Sequence, residues 1–192
     1  MRYPGPTARG TLPGVTAATS SIFISRIKGL PMLDPNGDQV GRVRDVVIQN
    51  RTGNRAPRVK GLVVELFAMR RIFVPMARVR SIQALQVIIS GLVNTRRFEV
   101  REHEVLVADN LFDRTVDRPG ADAPETIFDV AIRLVRGRDW EVAEVALQTV
   151  ARRPFARPHV SIVDWTELPD LFGDEFAGGL AAASAAPAAD GR

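Results

Sequence analysis

Apolar and polar residues alternate along several short segments of the chain. In residues 58–67, Leu62, Val64 and Leu66 stand at every second position, which is the period of a β-strand. Val63 between them makes the other face of this segment partly apolar as well. A strand with two apolar faces fits a small, curled sheet that is covered on both sides.

The other apolar runs are also short and rich in β-branched residues. RRIFVP (70–75) and LQVIIS (85–90) predict two strands, and NRTGNRAP (50–57) predicts a loop between two longer ones. A strand at about every 8–12 residues is typical of a small barrel or sandwich. Helix is scarce, although PMARVRSI (75–82) predicts one short turn after Pro75. We therefore predict an all-β fold.

The same order of segments occurs twice in the chain. Three pairs of segments resemble each other in sequence: 41–49 and 125–133, 58–66 and 139–147, and 70–79 and 158–168. Their order is kept and their spacings are similar, so we predict a duplicated module of about 70–80 residues. Two such small modules packed together would bury more apolar surface than either alone.

The repeat predicts two small antiparallel β-barrels in tandem, between flexible tails. The predicted segments are an N-terminal tail (1–20), a first barrel (21–99), a second barrel (100–172) and an Ala/Gly-rich C-terminal tail (173–192). Both tails are rich in small residues and show no apolar period, which is typical of flexible segments.

Composition excludes several kinds of site. The 192 residues contain no cysteine, so disulfides, thiolate metal sites and cysteine nucleophiles are excluded. The longest apolar run, LQVIISGLV (85–93), is too short for a membrane span of about 20 residues, and residues 1–21 lack the apolar core of a secretory signal. We expect a cytoplasmic protein, at most peripheral to the inner face of a membrane.

Charge is distributed unevenly between the two halves. Net charge is +4, but residues 22–99 contain 14 basic and 5 acidic residues, a balance of +9. Residues 100–172 contain 9 basic and 14 acidic residues, a balance of −5. Either the halves dock on each other, or each faces a different partner.

A polar turn precedes the first long strand. In Asp34-Pro35-Asn36-Gly37-Asp38, proline presets φ, glycine accepts a positive φ, and the Asp34 carboxylate can accept backbone N–H groups. The spacing also resembles the start of an EF-hand loop, but that loop needs a closing glutamate at its twelfth position and flanking helices. We therefore assign structural roles to Asp34 and Gly37 and predict no metal site.

A few residues inside the strands have predicted structural roles. Asp45 and Asp129 occupy matching positions in the two repeats, and a carboxylate there must accept hydrogen bonds from a loop or pair with an arginine. Gly61 within a strand indicates a bulge or a close approach of the backbone. Trp140 and Trp165 are expected to anchor the core of the second barrel.

The histidines do not form a convincing catalytic site. His103 lies alone between two glutamates, which predicts a solvated charge cluster. His159, Ser161 and Asp164 are the residue types of a triad, but on a strand the third would face away from the first two. We predict no catalytic residue, no metal site and no cofactor.

Basic residues concentrate around the first two long strands. They are Arg42, Arg44, Arg51, Arg55, Arg58, Lys60, Arg70 and Arg71. Together they could bind phosphate or an acidic protein surface; the alternatives are a solvated face or docking on the acidic second half. Nucleic-acid modules usually add aromatic residues for base stacking, whereas Phe67 and Phe73 of this half are predicted to fill the core.

Several of these segments resemble a known family. SRIKGLPMLDPNGDQVGRVRDVVI (25–48), VKGLVVEL (59–66) and RRIFVPMARVRSI (70–82) together resemble a PRC-barrel domain, a small antiparallel β-barrel found in the H subunit of photosynthetic reaction centres and in the ribosome maturation factor RimM. The chain from GLVNTRRFEV (91–100) to SIVDW (161–165) is similar to the cytoplasmic N-terminal region of actinobacterial MgtE-type magnesium transporter relatives, which carry two such barrels ahead of a helical domain and paired CBS domains.

The resemblance implies a non-enzymatic interaction or regulatory module. Its protein partner would be a magnesium-transporter-like membrane protein or a CBS-domain protein, and a homodimer is a further expectation. The alternative is a RimM-like module associated with the ribosome or with RNA. Because this sequence contains no CBS module and no transmembrane helix, it is expected to be a fragment or a stand-alone relative, and no metal ligand carries over.

Overall fold

The structure of the protein is a computed structural model. It describes residues 21–51, 53, 55–121, 123–149, 159–168 and 171. The two tails that the sequence predicts, residues 1–20 and 173–192, lie outside these residues.

Strands dominate the described part of the chain. The strands are β1 (Ile22–Phe23), β2 (Pro31–Leu33), β3 (Gln39–Gln49), β4 (Arg58–Glu65), β5 (Arg71–Pro75), β6 (Val79–Ile82), β7 (Val87–Ile89), β8 (Glu104–Leu106), β9 (Thr115–Val116), β10 (Glu125–Arg136), β11 (Asp139–Thr149) and β12 (Val160–Asp164). One-turn helices α1 (Ile24–Ile27) and α2 (Val107–Asn110) follow β1 and β8, and 3₁₀ turns cover Phe67–Met69, Met76–Arg78 and Trp165–Glu167. The all-β prediction is confirmed, and so is the short turn after Pro75.

Two long antiparallel hairpins, β3–β4 and β10–β11, form the frame of the sheet. They meet where β4 pairs with β11, and the strands follow the order β1-β10-β11-β4-β3-β2-β7-β6. Beside this path, β12 pairs with β11, β5 with β4, β8 with β3, and β9 with β10. The described strands therefore form one continuous, hydrogen-bonded sheet.

The apolar pattern of β4 explains how this sheet is covered on two sides. Leu62 and Val64 are buried in the main core, which extends through both halves of the chain. Val63 points the other way into a second, smaller cluster with Val47 and Leu106. The two apolar faces expected from the sequence are therefore both buried.

The hairpins repeat the same geometry around the matching aspartates. A register shift lies just before each, and Asp45 pairs across the sheet with Val63 while Asp129 pairs with Ala146. Val63 and Ala146 are therefore equivalent, whereas the sequence comparison matched Val63 with Glu144, two residues earlier. That part of the alignment is wrong because the strand register depends on the position of the bulges, which the apolar period does not record.

The two halves exchange their first strand and helix. Strand β1 of the first half pairs with β10, so that Phe23 lies opposite Ala131. Strand β8 of the second half pairs with β3, so that Leu106 lies opposite Val47. At the centre of this arrangement Arg58 and Glu141 are cross-strand partners, and the Val142 N–H donates to the Pro57 carbonyl at 2.9 Å.

Candidate functional site

The repeated aspartates hold the exchanged helices in place. The Asp45 carboxylate, 2% exposed, accepts the N–H groups of Ala108 at 2.7 Å and Asp109 at 2.9 Å in α2, and that of Val46 at 2.7 Å. Burial raises the pKa of Asp45 to about 6, although the three N–H donors act in the opposite direction. This carboxylate therefore joins the first half to the second.

Asp129 makes the corresponding contact in the other direction, with helix α1 of the first half. It is 4% exposed and accepts the N–H of Ser25 in α1 at 3.2 Å and that of Val130 at 2.8 Å. Each aspartate thus binds backbone of the helix that comes from the other half. These hydrogen bonds connect each exchanged helix to the long strand of the other half.

The polar turn before β3 is held by its own side chain. Asp34 accepts the N–H groups of Asn36 at 2.8 Å and Asp38 at 2.9 Å, and Gly37 has a φ of +90°. Among the described residues, no group of three His, Asp or Glu side chains is placed to hold a metal ion.

Gly61 marks a close approach between β4 and β5. A Cβ on this residue would lie 2.6 Å from the ring of Phe73 and would also meet the carbonyl oxygen of Val74. The absence of a side chain at Gly61 leaves room for the Phe73 ring.

The two tryptophans lie at the margin of the core. Trp140 and Trp165 are half-buried and pack against the main core cluster.

Some of the predicted basic residues join the two halves through ion pairs. Arg51 contacts Glu141 at 3.1 Å, and Arg58 pairs with Asp139. At the other end of β4, the Arg71 guanidinium lies 3.3 Å from the Asp109 carboxylate. The docking of the basic half on the acidic half, one of the two alternatives drawn from the charge distribution, therefore accounts for part of this set.

Other basic residues gather at the Glu65 end of β4. Arg44 pairs with Glu65, and this contact holds the pKa of the Glu65 carboxyl below its usual range. Arg42 is the cross-strand neighbour of Glu65 and donates to the Gly29 carbonyl at 3.0 Å. Because β4 rises about 3.3 Å per residue, this end lies roughly 23 Å from Arg58 at its start.

The predicted set is therefore split between the two ends of β4. Within the described part of the chain, Arg55, Lys60 and Arg70 have no carboxylate partner. Arg70 and Arg71 are the ones that border a concave surface.

This surface, which we call the arginine groove, has a volume of about 800 Å³. It is lined by Met69, Arg70, Arg71, Arg97, Phe98, Val100, Leu106 and Asp109. One wall comes from the turn before β5 and the other from the segment that leads into β8. The groove thus combines guanidinium groups with apolar side chains.

The segment 94–101 completes the groove and was not assigned to the site from the sequence. The Phe98 N–H donates to the Arg71 carbonyl at 2.9 Å, and Arg97 bridges to Ile72. The Phe98 ring stacks on Phe73 with centroids 6.0 Å apart. The adjacent residues RRF (96–98) were the available signal, a basic pair followed by an aromatic residue outside any predicted strand.

Two apolar residues between β4 and β5 are exposed, and one of them, Met69, lines the groove. Met69 is 76% exposed and has a φ of +61°, which is uncommon for a residue with a side chain. Phe67 is 80% exposed, so the prediction that it fills the core is wrong. It lies in the 3₁₀ turn between β4 and β5, where the alternation of the strand has already ended.

The remaining candidates for chemistry are dispersed. His103 is exposed in the turn before β8, not in a strand, and lies 3.6 Å from the Glu102 carboxylate. Ser161 donates to Glu125 at 3.4 Å, and Asp164 caps the turn Trp165–Glu167 by accepting the N–H of Thr166. Among the described residues, no hydrogen bond joins the side chains of His159 and Ser161.

Comparison with protein families identifies the first half. Residues 20–90 match the family model described as the PRC-barrel domain. This part of the chain is therefore similar to PRC-barrel domains. Residues 105–174 match the model described as the Actinomycetes SH3 domain, so the segment containing Phe98 lies between the two matched regions.

The two matches indicate the general type of protein. PRC-barrel and SH3-type domains are generally non-catalytic and are often involved in protein–protein interaction. A comparison with curated proteins gave no match. Over the described ranges, the protein has no helix of the length and apolarity needed to cross a membrane.

Proposed function

We propose that this PRC-barrel protein is a non-catalytic interaction module that binds an acidic segment of a protein partner in the arginine groove. The observation that carries the proposal is the position of Arg70 and Arg97. Both line the groove, and neither has a carboxylate partner among the described residues. Guanidinium groups bind carboxylates through two parallel hydrogen bonds, which favours an acidic ligand.

The apolar lining favours a polypeptide over a small anion. Met69 and Val100 are exposed beside the arginines, at 76% and 38%. A partner segment with acidic and apolar side chains would cover both kinds of surface, as at the centre and rim of ordinary interfaces. Arg71 is already paired with Asp109 and would help to position the partner without being its main contact.

The two halves would act together as tandem PRC-barrel-like modules. The reciprocal contacts of Asp45 and Asp129 support a fixed orientation between them, and the groove uses residues from both sides of the junction. The partner suggested by the sequence resemblance is a magnesium-transporter-like membrane protein or a CBS-domain protein. The module would then be cytoplasmic and regulatory, held at the inner face of the membrane.

The alternative function is RimM-like association with RNA or the ribosome. The +9 balance of the first half favours it. The stacking of Phe98 on Phe73 opposes it, because rings packed on each other offer less surface to bases.

Fractionation of the native host after gentle cross-linking distinguishes these functions. The tagged full chain is compared with the groove variant R70E/R97E and with R55E/R80E, which makes the same charge change at exposed arginines outside the groove. Recovery with membranes that is lost only in R70E/R97E supports the proposal. Recovery with ribosomal particles, released by moderate salt, supports the alternative, and equal behaviour of both variants contradicts a role for the groove.

A further inference from the structure

A second concave surface adjoins the arginine groove and has a volume of about 280 Å³. We call it the second arginine pocket, and it is lined by Phe73, Asn94, Arg96, Arg97, Phe98, Glu99, Arg101 and Glu104. Arg97 and Phe98 line both this pocket and the groove. A ligand that passes along these two residues therefore contacts both surfaces.

The second arginine pocket offers guanidinium groups that are not used within the protein. Arg96, Arg97 and Arg101 are exposed, and over the described part of the chain none of them has a carboxylate partner. Three arginines against two glutamates give the lining an excess of positive charge. Unused guanidinium groups bind carboxylates through charge-assisted hydrogen bonds, so this pocket also favours an acidic ligand.

The segment that carries these arginines is held at both ends. At one end the Phe98 N–H donates to the Arg71 carbonyl at 2.9 Å. At the other end the buried Glu104 carboxylate accepts the Arg101 N–H at 3.1 Å, and the Glu104 N–H donates to the Arg101 carbonyl at 3.1 Å. Glu104 lies opposite Gln49 in the sheet. Because the backbone is fixed before a ligand arrives, little ordering entropy is lost on binding.

Apolar surface continues from the groove into the second arginine pocket. The half-buried rings of Phe73 and Phe98 stack on each other, and both line the pocket. Phe98 also lines the groove beside the exposed Met69 and Val100. A ligand that covers the whole surface must therefore carry apolar groups as well as acidic ones.

From these observations we infer that the acidic partner segment crosses Phe98 and binds the groove and the second arginine pocket together. Its acidic side chains would pair with Arg70 at one end and with Arg96 and Arg101 at the other. The inference rests on the proposed function, since it describes the ligand of the same groove. Arg97 and Arg101 are four residues apart, a reach of at most about 14 Å, which an extended ligand covers with five residues. The ligand is thus an extended polypeptide of at least five residues, with acidic residues on both sides of an apolar one.

Fluorescence anisotropy with a labelled acidic peptide tests this inference on the full chain. The probe is the nine-residue peptide DLDLDLDLD, blocked at both ends. R96Q/R101Q removes two charges from the second arginine pocket, and its matched control R55Q/R80Q removes two charges outside both surfaces. R70Q removes one charge from the groove, with R55Q as its control. All the substituted residues are exposed, so folding is expected to be kept.

We expect R96Q/R101Q to bind the peptide about tenfold more weakly than the parent, and R70Q to bind it several-fold more weakly. Both controls should stay within about twofold of the parent. Weaker binding in R70Q alone would overturn the inference and leave the proposed function standing. Weaker binding in R96Q/R101Q alone would also overturn it, because the ligand would then bind only the second pocket. No binding by the parent, or no loss in either variant, would overturn both.

RNA is the competing ligand for an arginine-rich surface that includes aromatic rings. The same titrations are therefore repeated with a labelled oligouridylate of about eight nucleotides. Tighter binding of this probe than of the peptide, with the same loss in R96Q/R101Q, would assign the surface to RNA and overturn the inference. Weaker binding, with R96Q/R101Q equal to R55Q/R80Q, supports the polypeptide.

Discussion

The two halves of the molecule share one framework and differ in what they place on it. At the position before the repeated aspartate, the first half has Arg44 and the second has Phe128. On the adjoining outer strand, Phe73 is covered by Phe98, whereas the equivalent Ile162 is 57% exposed. The two hairpins therefore have the same pairing around their aspartates but carry different outer surfaces, a groove with arginines in the first half and exposed apolar residues in the second.

Each aspartate binds the helix of the other half, but the two do not make the same number of hydrogen bonds. Asp45 binds two N–H groups of α2 and one of its own strand, whereas Asp129 binds one N–H of α1 and one of its own strand. The junction should therefore depend more on the carboxylate of the first half.

The largest expected effect is on stability at this junction. D45A leaves three N–H groups, two of them buried and one partly buried, without their acceptor and should lower the free energy of unfolding by about 3 kcal/mol. D129A removes two such bonds and should cost about 2 kcal/mol. Urea unfolding of both variants measures the difference; an equal or smaller loss in D45A would contradict the asymmetry.

A second comparison uses the equivalent positions Gly61 and Glu144, which lie opposite Val47 and Ala131. G61A puts a Cβ against the Phe73 ring and the Val74 carbonyl, and should destabilise by about 2 kcal/mol. E144A removes only the contact with Ser21 Oγ and should cost less than about 1 kcal/mol. Similar losses in thermal unfolding would show that the two strands are packed alike.

The pH dependence of stability sharpens the comparison of the aspartates. Burial raises the pKa of Asp45 to about 6 in the folded protein, against an ordinary value near 4 in the unfolded chain. A raised pKa stabilises the fold fully below pH 4, and this contribution is lost as the pH rises through 6, by roughly 3 kcal/mol.

The matched variants for this test are D45N and D129N. Urea unfolding between pH 4 and 7 should show this loss of stability with rising pH in the parent and in D129N but not in D45N. Its persistence in D45N would assign the titration to another group.

The smallest effects are expected from exposed ion pairs between the halves. The Arg58 and Asp139 side chains are 51% and 62% exposed, so a double-mutant cycle should give a coupling of about 0.5 kcal/mol or less. The pair Arg118–Glu125 within the second half contains a carboxylate that is 7% exposed and should give a larger coupling. A larger coupling for Arg58–Asp139 than for Arg118–Glu125 would mean that ion pairs between the halves, and not the pairing of the exchanged strands, hold the halves together.

Much of the strand framework could be predicted from the sequence, because it follows from the alternation of apolar residues and from the positions of a few special residues. The alternation in β4, the repeated aspartates and Gly61 each mark a local physical requirement: two apolar faces, a satisfied buried carboxylate and a close backbone approach. Docking of the halves was one of the two alternatives drawn from their charge balance, and Arg51 and Arg58 do pair across the junction.

The exchange and the groove could not be predicted in the same way. Strands β1 and β8 contain only two and three residues, too few to show a period. The groove depends on Phe98 meeting Phe73, residues brought together by tertiary pairing that no local pattern encodes. For the same reason the basic residues looked like one patch in the sequence, although β4 separates them into two groups.

Photo-cross-linking in the native host tests whether a protein partner binds in the arginine groove and not on the exposed apolar residues Phe128, Val160 and Ile162 of the second half. A photoreactive amino acid is placed at Met69 in the groove or at Ile162 in the second half. We predict cross-links to a protein from position 69 that disappear in R70E/R97E and persist in R55E/R80E, with none from position 162. Cross-links from position 162 but not 69, or only to RNA, would contradict the account.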